Sequence, residues 1–406
     1  MNESLQSLAS RRRRVVILGS TGSIGQSALK VARDIPDRME VVGLAAARSV
    51  TQFLEQLREW RPLAAALFDK DAAAQAREQL SNEIQYEHAG CERPFELEEG
   101  EEGLCALASL PEADLVIIAI VGTAGLKPAL AAIEAGKDIA VASKEILVMA
   151  GSVVMEAARR KGVRVLPVDS EHNAIFQCLE GRHKEEVSRL LLTASGGPFR
   201  TMPRESLQSV TPAQALKHPT WDMGRKISID SATLFNKGLE MIEARWLFEL
   251  PITKVEVIVH PQSIIHSMVE FVDSSVLAQL SNTDMCFPIQ YAVTWPERVS
   301  TRLPRVDFAK IAKLEFEAPR LDDFPAINLA RWAGETGGSL PAIMNAANEV
   351  AVAAFLDGRC AFPAIWHTVE KVMQAHVPDS NPPLEAILDA DRWARAKASH
   401  LLRISE

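Results

Sequence analysis

Short apolar runs alternate with amphipathic, helix-like segments from residue 14 to about residue 150, and no other feature constrains the fold of this chain as strongly. VVILGS at 15–20 precedes a glycine-rich turn, QSALKVARDI has helical spacing, and MEVVGLAAA at 39–47 is a second apolar run. Strands alternating with helices of this length form right-handed βαβ crossovers and a mostly parallel sheet. Further strands are predicted at 64–69, 113–120 and 138–143. We therefore predict an α/β fold with a Rossmann-like N-terminal parallel sheet.

The pattern changes after residue 150. The segments KVEVIVH, IIHSMVEFV and SVLAQL within 254–280 are strand-like, and we expect them to form antiparallel pairs. The stretch 296–325 is rich in Pro, Arg and Asp, and the chain beyond it is helical in pattern. We expect the acidic stretch 84–105 to be a surface excursion. The predicted parts are a Rossmann-like domain, an α+β catalytic domain, a linker and an all-α domain, at 14–150, 151–295, 296–325 and 326–406.

Composition excludes several classes of protein. The net charge is -9, from 44 Lys+Arg against 53 Asp+Glu, which argues against a duplex-binding surface and predicts no nucleic-acid partner. No apolar run approaches the roughly 18 residues of a membrane helix, so no membrane partner is expected. The five cysteines never form a C-x-x-C pair, and the Arg-rich residues 1–14 lack the apolar core of a signal peptide. We therefore expect a cytoplasmic protein.

The glycine turn contains Gly19, Gly22 and Gly25 between a strand and a helix, where such a turn can approach a phosphate. A turn with no ligand is the alternative. Arg48 and Ser49 follow the second predicted strand, where an NAD site carries Asp or Glu. An arginine and a hydroxyl favour the 2′-phosphate of NADP(H). The alternative is that Arg48 is a solvated turn residue.

Other nicotinamide-dependent classes fit less well. Short-chain reductases need Tyr-x-x-x-Lys, and neither Tyr86 nor Tyr291 has Lys four residues later. An NADP-dependent semialdehyde dehydrogenase is the alternative enzyme, but it needs a nucleophilic cysteine, and Cys178 lies in an apolar helical pattern. A non-catalytic nucleotide sensor or scaffold is a further alternative.

Asp169-Ser170-Glu171 ends an apolar strand and opens a helix. Asp169 and Glu171 point the same way in extended geometry, and two carboxylates suit Mg²⁺ or Mn²⁺. Capping of the helix by Asp169 or Ser170 is the alternative.

Two other groups are candidates for binding an anion or a cation. Asn236 and Glu240 share one helix face with Lys237 beside them, and a solvated face is the alternative interpretation. Ser195 with the glycines after it can present N–H groups to an anion, or it can form a plain β-turn. The loop 218–226 has one tryptophan, Trp221, and could close over a ligand.

Seven stretches together resemble one family, the 1-deoxy-D-xylulose-5-phosphate reductoisomerases of the non-mevalonate isoprenoid pathway. They are GSTGSIG (19–25), ASKEILVMAG (142–151), LPVDSEHNAIFQCL (166–179), LTASGGPFR (192–200), MGRKISIDSATLFNKGLEMIEARWLF (223–248), HPQSIIHSMVEF (260–271) and PAIMNAANEVA (341–351). They occur in the family's order from residue 15 to about 351, and DSEHNAIFQ and NKGLE are especially specific. The resemblance implies an NADPH- and metal-dependent oxidoreductase that converts 1-deoxy-D-xylulose 5-phosphate to 2-C-methyl-D-erythritol 4-phosphate.

The resemblance also implies a set of site residues. The ligands of one divalent cation (Mg²⁺, Mn²⁺ or Co²⁺) would be Asp169, Glu171 and Glu240, which with Lys144 form the catalytic set. The phosphorylated substrate would contact Lys144, Ser170, Glu171, Ser195, His218, Trp221, Ser231, Asn236, Lys237 and Glu240. NADPH would contact Thr21, Gly22, Ser23, Ile24, Arg48, Ser49, Ser143, Glu145 and Gly224. A homodimer is expected, because the family is dimeric and the strands at 254–280 could pair across a twofold axis.

The chain departs from the family pattern next to the cofactor residues. Ser143 stands where the family has Asn, Ile146 replaces a Ser, and Ala47-Arg48-Ser49 replaces G-[KR]-N. These changes weaken side-chain amide contacts to the cofactor and leave the metal and phosphate residues intact.

Overall fold

The computed structural model describes residues 11–81, 95, 97–221 and 223–403. The N-terminal residues 1–10, and residues 84–94 and 96 of the predicted acidic excursion, lie outside the described residues. The chain splits into two compact units, each built from discontinuous segments. The first is Met1–Ile146, Val154–Asn173 and Asp284–Pro304, and the second is Leu147–Val153, Ala174–Thr283 and Arg305–Glu406. The predicted domain boundaries remain predictions.

The first unit contains a seven-stranded sheet in which every pair of neighbouring strands is parallel. The strands are β1 (Arg13–Leu18), β2 (Met39–Ala46), β3 (Ala64–Leu67), β4 (Leu97–Glu99), β5 (Leu115–Ile118), β6 (Asp138–Val141) and β7 (Val165–Pro167). Their spatial order is β4-β3-β2-β1-β5-β6-β7. Val15–Leu18 and Leu115–Ile118 are completely buried, as expected for central strands covered on both faces. The prediction of an α/β fold with a parallel N-terminal sheet is confirmed.

Helices follow these strands along the chain. They are α1 (Ser23–Asp34), α2 (Val50–Trp60), α3 (Lys70–Ser81), α4 (Gly100–Ala108), α5 (Leu126–Glu134), α6 (Lys144–Lys161) and α7 (Ser170–Cys178). The prediction of a surface excursion is wrong for residues 97–105, because β4 pairs with β3 and α4 buries Leu104 and Leu107. The strand has only three residues, and the first turn of α4 carries Glu101 and Glu102. The apolar face of α4 is therefore not evident from the sequence pattern.

The second unit contains a four-stranded sheet in the order β11-β10-β8-β9. Its strands are β8 (Val187–Ala194), β9 (Val255–Val259), β10 (Ile265–Phe271) and β11 (Val276–Leu280). β10 is antiparallel to β11, as predicted, and it is also antiparallel to β8. β9, however, is parallel to β8, so the antiparallel prediction is wrong for the segment KVEVIVH. The direction in which a strand pairs depends on a partner that is distant in sequence, so the local pattern does not reveal that direction.

The remaining helices include the predicted C-terminal helical region. They are α8 (Pro212–Ala215), α9 (Arg225–Thr233), α10 (Phe235–Leu247), α11 (Cys286–Thr294), α12 (Phe308–Ile311), α13 (Ala326–Thr336), α14 (Leu340–Leu356), α15 (Ala364–Gln374) and α16 (Leu384–Leu401). A side chain at Gly238 of α10 would lie 2.8 Å from the Ala330 Cβ of α13, so this glycine lets the two helices approach closely. One hydrophobic core joins α9, α10, α13, α14 and α15 to the sheet. Among the helices within the described residues, none has the length and apolar character needed to cross a membrane.

Candidate active site

The glycine turn connects β1 to α1 in the first unit. Gly19 has φ +96°, and a Cβ there would lie 2.4 Å from the carbonyl oxygen of Ala119, so only glycine fits. The Ser20 hydroxyl donates to Gln56 Oε1 at 2.6 Å, and Gln56 Nε2 donates to the Ser20 carbonyl at 3.0 Å. Gly22 is the N-cap of α1, with no side-chain capping bond. The first turn of α1 therefore offers backbone N–H groups and no carboxylate to an approaching phosphate.

Arg48 and Ser49 lie on the exposed turn between β2 and α2. The Arg48 side chain is 83% exposed, and its Nε donates to Asp69 Oδ2 at 2.9 Å. The Ala72 N–H, together with the Arg48 guanidinium, holds the pKa of the Asp69 carboxyl below its ordinary value. Sequence reasoning missed Asp69, although it follows the third strand at the same end of the sheet. Arg48 is thus an oriented cation at the end of β2.

Ser143, Lys144 and Glu145 join β6 to α6 and are buried. The Ser143 hydroxyl donates to the backbone carbonyl of Ile120. The hydroxyl of Ser143 thus stabilises the strand-to-helix turn. The asparagine that the family has at this position would instead present a side-chain amide group.

Asp169 lies two residues after β7, and Ser170 and Glu171 begin α7. Asp169 Oδ2 lies 2.6 Å from Lys144 Nζ, and both side chains are nearly buried. Asp169 Oδ1 accepts a hydrogen bond from the Glu171 N–H at 3.2 Å, and the Ser170 hydroxyl donates to Glu171 Oε2 at 2.5 Å. Asp169 therefore caps α7 with its Oδ1, while its Oδ2 faces the buried ammonium of Lys144. A carboxylate–lysine pair with so little exposure is more than a helix cap requires.

The second unit holds the cluster on α10. Glu240 is fully buried, its Oε2 lies 2.6 Å from Lys237 Nζ, and its Oε1 accepts from Asn236 Nδ2 at 2.6 Å. The interpretation of this face as solvated is wrong, because Lys237 is also buried. A buried ammonium and carboxylate are costly to desolvate, so their presence on a core helix indicates a function other than helix stability.

Ser195 and His218 contact each other in the second unit. His218 Nδ1 accepts hydrogen bonds from the N–H groups of Thr220 and Trp221, at 3.3 and 2.9 Å. The neutral ring therefore carries its proton on Nε2, which donates to Ser195 Oγ at 2.9 Å. The Gly197 N–H also donates to this oxygen, at 3.2 Å. Because two donors occupy Ser195 Oγ, its own proton is directed to a further acceptor such as an anion.

Ser231 lies on α9, beside the turn that follows Ser195. Gly197 has φ +69°, and a Cβ there would lie 2.8 Å from the Ser231 carbonyl oxygen and 3.0 Å from Ala232 Cα. The glycine thus permits direct contact between this turn and α9. The turn after Ser195 and the helix that carries Ser231 are therefore in contact through backbone atoms.

The loop before α9 contains Trp221 and ends at Gly224, the N-cap of α9. The Trp221 ring lies 6.2 Å from the His266 ring, centroid to centroid. Trp221 therefore packs against β10, the strand that carries His266.

Comparison with known proteins identifies the family. Three family models match the chain: 1-deoxy-D-xylulose 5-phosphate reductoisomerase at residues 15–151, its C-terminal domain at 165–248, and the DXP reductoisomerase C-terminal domain at 280–397. The 1-deoxy-D-xylulose 5-phosphate reductoisomerase of Heliobacterium modesticaldum is 53% identical over 387 residues, covering 95% of this chain and 97% of that protein. The chain belongs to the 1-deoxy-D-xylulose 5-phosphate reductoisomerase family. The prediction from the seven sequence stretches is confirmed.

Solved structures of reductoisomerases agree in fold. The enzyme from Zymomonas mobilis in complex with NADPH is 43% identical, has a TM-score of 0.88, and covers 96% of this chain and 99% of that chain. A reductoisomerase in complex with NADPH, fosmidomycin and magnesium is 38% identical with a TM-score of 0.89, and covers 96% and 98% of the two chains. These matches extend across both compact units.

The cysteines give no support to the semialdehyde dehydrogenase alternative. Burial raises the pKa of Cys105 and Cys360, and it raises the pKa of Cys286 to about 12. Cys178 lies in the core of the second unit, consistent with its apolar helical pattern. A nucleophilic cysteine needs a depressed pKa, and the pKa values of Cys105, Cys286 and Cys360 are shifted the other way. Cys91 and Tyr86 lie outside the described residues.

Proposed function

We propose that this protein converts 1-deoxy-D-xylulose 5-phosphate to 2-C-methyl-D-erythritol 4-phosphate, using NADPH and a divalent cation. Two carboxylates, one nearly buried and one fully buried, are each paired with a buried lysine at positions that match the family's motifs, and these pairs carry the proposal. Asp169 with Lys144, and Glu240 with Lys237, form two such pairs, each at 2.6 Å. Neither pair is explained by the local needs of its helix.

We propose that Asp169, Glu171 and Glu240 are the ligands of one divalent cation. Three carboxylates offer hard oxygen ligands, which suit Mg²⁺ and also accept Mn²⁺ or Co²⁺. When bound, the cation supplies a Lewis acid that polarises the substrate carbonyl, and NADPH supplies a hydride. The Ser170 hydroxyl and the Glu171 carboxylate contact each other at 2.5 Å, which orients both groups. Lys144 would stabilise negative charge on the reacting oxygens. The carbon skeleton would rearrange by carbon–carbon cleavage and re-addition before reduction.

The chain's cofactor residues suit NADPH. The turn residues Thr21, Gly22, Ser23 and Ile24 lead into an uncapped helix N-terminus, which binds phosphate through N–H groups. Arg48 and Ser49 would hold the 2′-phosphate, since Asp69 engages only the Nε of Arg48 and leaves its Nη groups to form the fork. Ser143, Glu145 and Gly224 complete the proposed cofactor contacts.

We propose that Ser195, Ser231, Asn236 and Lys237 bind the substrate phosphate. The fixed tautomer of His218 directs the Ser195 proton outward, and the Lys237 ammonium adds the charge that neutral donors lack. His218 and Trp221 lie on the loop that would close over the substrate. Binding energy from the phosphate, remote from the reacting carbons, can then serve loop closure and orientation.

We also propose a cytoplasmic homodimer. β11 is an edge strand of the second unit's sheet, and Val276 and Leu277 on it are 46% and 40% exposed. An exposed apolar edge strand is protected when a second copy of the chain covers it. A monomer at micromolar concentration in sedimentation of the purified protein would contradict the proposed homodimer.

A metal-depleted preparation tests the proposed activity directly. We expect loss of NADPH absorbance only when 1-deoxy-D-xylulose 5-phosphate and a divalent cation are both added, with one product formed per NADPH consumed. Replacing the substrate with a phosphorylated semialdehyde, plus inorganic phosphate and NADP⁺, tests the alternative oxidoreductase. Turnover of the semialdehyde without turnover of deoxyxylulose phosphate would overturn the proposal.

A further inference from the structure

Asp230 is a buried carboxylate that the proposed catalytic machinery does not include. It lies on α9 and is 1% exposed. Its Oδ2 lies 2.6 Å from Lys226 Nζ, and its Oδ1 accepts a hydrogen bond from Asn348 Nδ2 at 2.8 Å. Asn348 is fully buried on α14, which belongs to the C-terminal helical region. One carboxylate therefore connects the start of α9 to a helix more than a hundred residues later.

The stability of α9 does not explain this arrangement. A lysine in the first turn opposes the helix dipole, and a lysine four residues before an aspartate is the weaker orientation of such a pair. Burying the carboxylate adds a desolvation penalty, which its two partners must offset. Local rules broken in this way are expected where a helix is held for a function.

The position of α9 decides where two parts of the proposed site lie. The loop that carries His218 and Trp221 ends at Gly224, and Lys226 follows two residues later. Ser231 is the residue after Asp230, and it lies against the Gly197 turn that follows Ser195. A shift of α9 would therefore move Ser231 relative to Ser195 and move the root of the loop.

We infer that Asp230 and Asn348 are positioning residues for the phosphate-binding end of the site, which fix α9 on the C-terminal helix α14. The inference rests on the proposed function, in which Ser231 holds the substrate phosphate. It assigns the C-terminal helical region a role in substrate affinity. The contact acts through Ser231 and the loop root, and Asp230 itself does not touch the substrate.

The neighbouring residue on α14 provides a matched control. Glu349 follows Asn348, and its carboxylate lies 2.7 Å from Arg395 of α16 and accepts from Asn345. Glu349→Gln removes a partly buried charge from the same helix without touching α9. Asp230→Asn removes the charge that holds Lys226 but keeps an oxygen that can accept from Asn348.

We expect Asp230→Asn to raise KM for 1-deoxy-D-xylulose 5-phosphate about tenfold, which corresponds to about 1.4 kcal/mol of binding free energy. KM for NADPH should change several-fold less, and kcat at saturating substrate should fall less than KM rises. Glu349→Gln should lower the melting temperature while leaving both KM values as in the wild type. A merely structural role would reduce the active fraction, and therefore kcat, without changing KM.

If Asp230→Asn fails to fold, Asn348→Ser decides the question with the same kinetics, because serine is too short to reach Asp230 and leaves the ion pair intact. A wild-type KM in the folded variant would overturn the inference. An equal rise of KM in Glu349→Gln would also overturn it, since general loosening of α14 would then suffice. Failure of the proposed function is distinguishable, because the wild-type enzyme itself would not turn over the substrate.

Discussion

Replacing Gly197 with alanine tests whether Ser195 and Ser231 form one phosphate-binding pair. The glycine has φ +69°, and its α-carbon approaches α9 so closely that an added Cβ would lie 2.8 Å from the Ser231 carbonyl oxygen. That neighbour is backbone, which cannot rotate away as a flexible side chain would. The methyl group must therefore separate the turn from α9.

Two costs can be separated by a matched control. Alanine in the left-handed region costs roughly 1–2 kcal/mol, whatever its surroundings. Overpacking by one methyl group costs typically about 1–3 kcal/mol more. Gly181 has φ +73°, and a Cβ there would have no neighbour within 4 Å. Gly181→Ala therefore carries the first cost alone, and the difference between the variants isolates the displacement of α9.

Steady-state kinetics and thermal unfolding of both variants provide the test. We expect Gly181→Ala to lose stability with unchanged KM for 1-deoxy-D-xylulose 5-phosphate. Gly197→Ala should lose more stability and raise that KM about tenfold, the equivalent of about 1.4 kcal/mol. Equal KM values in the two variants, with Gly197→Ala folded, would refute the pairing of Ser195 with Ser231.

Three further outcomes are expected. Glu240→Gln should lower turnover about a thousandfold or more, because several kcal/mol of charge stabilisation would be lost. A titration of this variant with Mg²⁺ should saturate at a higher concentration than in the wild type. The control Glu249→Gln, which removes the carboxylate of an exposed ion pair, should retain wild-type turnover and Mg²⁺ dependence. Arg48→Glu should shift the ratio of kcat/KM for NADPH and NADH toward NADH. The control Arg33→Glu, at another exposed ion pair, should leave that ratio unchanged. An unaltered ratio in Arg48→Glu would show that Arg48 does not bind the 2′-phosphate. Because the pKa of Cys286 is raised to about 12, its thiol should stay protonated at pH 8 and react with iodoacetamide far more slowly than a free cysteine, as peptide mass analysis would show.

Sequence reasoning succeeded where chemistry follows from local pattern. The parallel strands were predicted because their apolar runs alternate with helices, and Asp169 and Glu171 were proposed as ligands because they follow one of those strands. β4 was missed because its three residues include two glutamates. The direction of β9 was missed because a strand's partner is set by contacts distant in the sequence.

Burial was the harder property to predict. The pattern Asn236-Lys237-x-x-Glu240 is equally consistent with a solvated helix face and with a buried charged cluster. What decides between them is the helix packed against α10, and Gly238 permits that packing by its lack of a side chain. The link from Asp230 to Asn348 is invisible for the same reason, since 118 positions separate the two residues.

A net charge of -9 suggests a protein that repels phosphates, yet the proposed ligands are phosphorylated. The structure resolves this conflict at short range. Lys144 and Lys237 each lie 2.6 Å from a carboxylate, so neither lysine creates a broad positive surface. In the proposed function, phosphates are therefore bound by oriented donors: the N–H groups at the start of α1, the Ser195 hydroxyl, whose lone pairs are already occupied, and the carboxylate-paired cations of Lys237 and Arg48. Such donors act only at contact distance. We therefore expect the KM for 1-deoxy-D-xylulose 5-phosphate to depend only weakly on ionic strength.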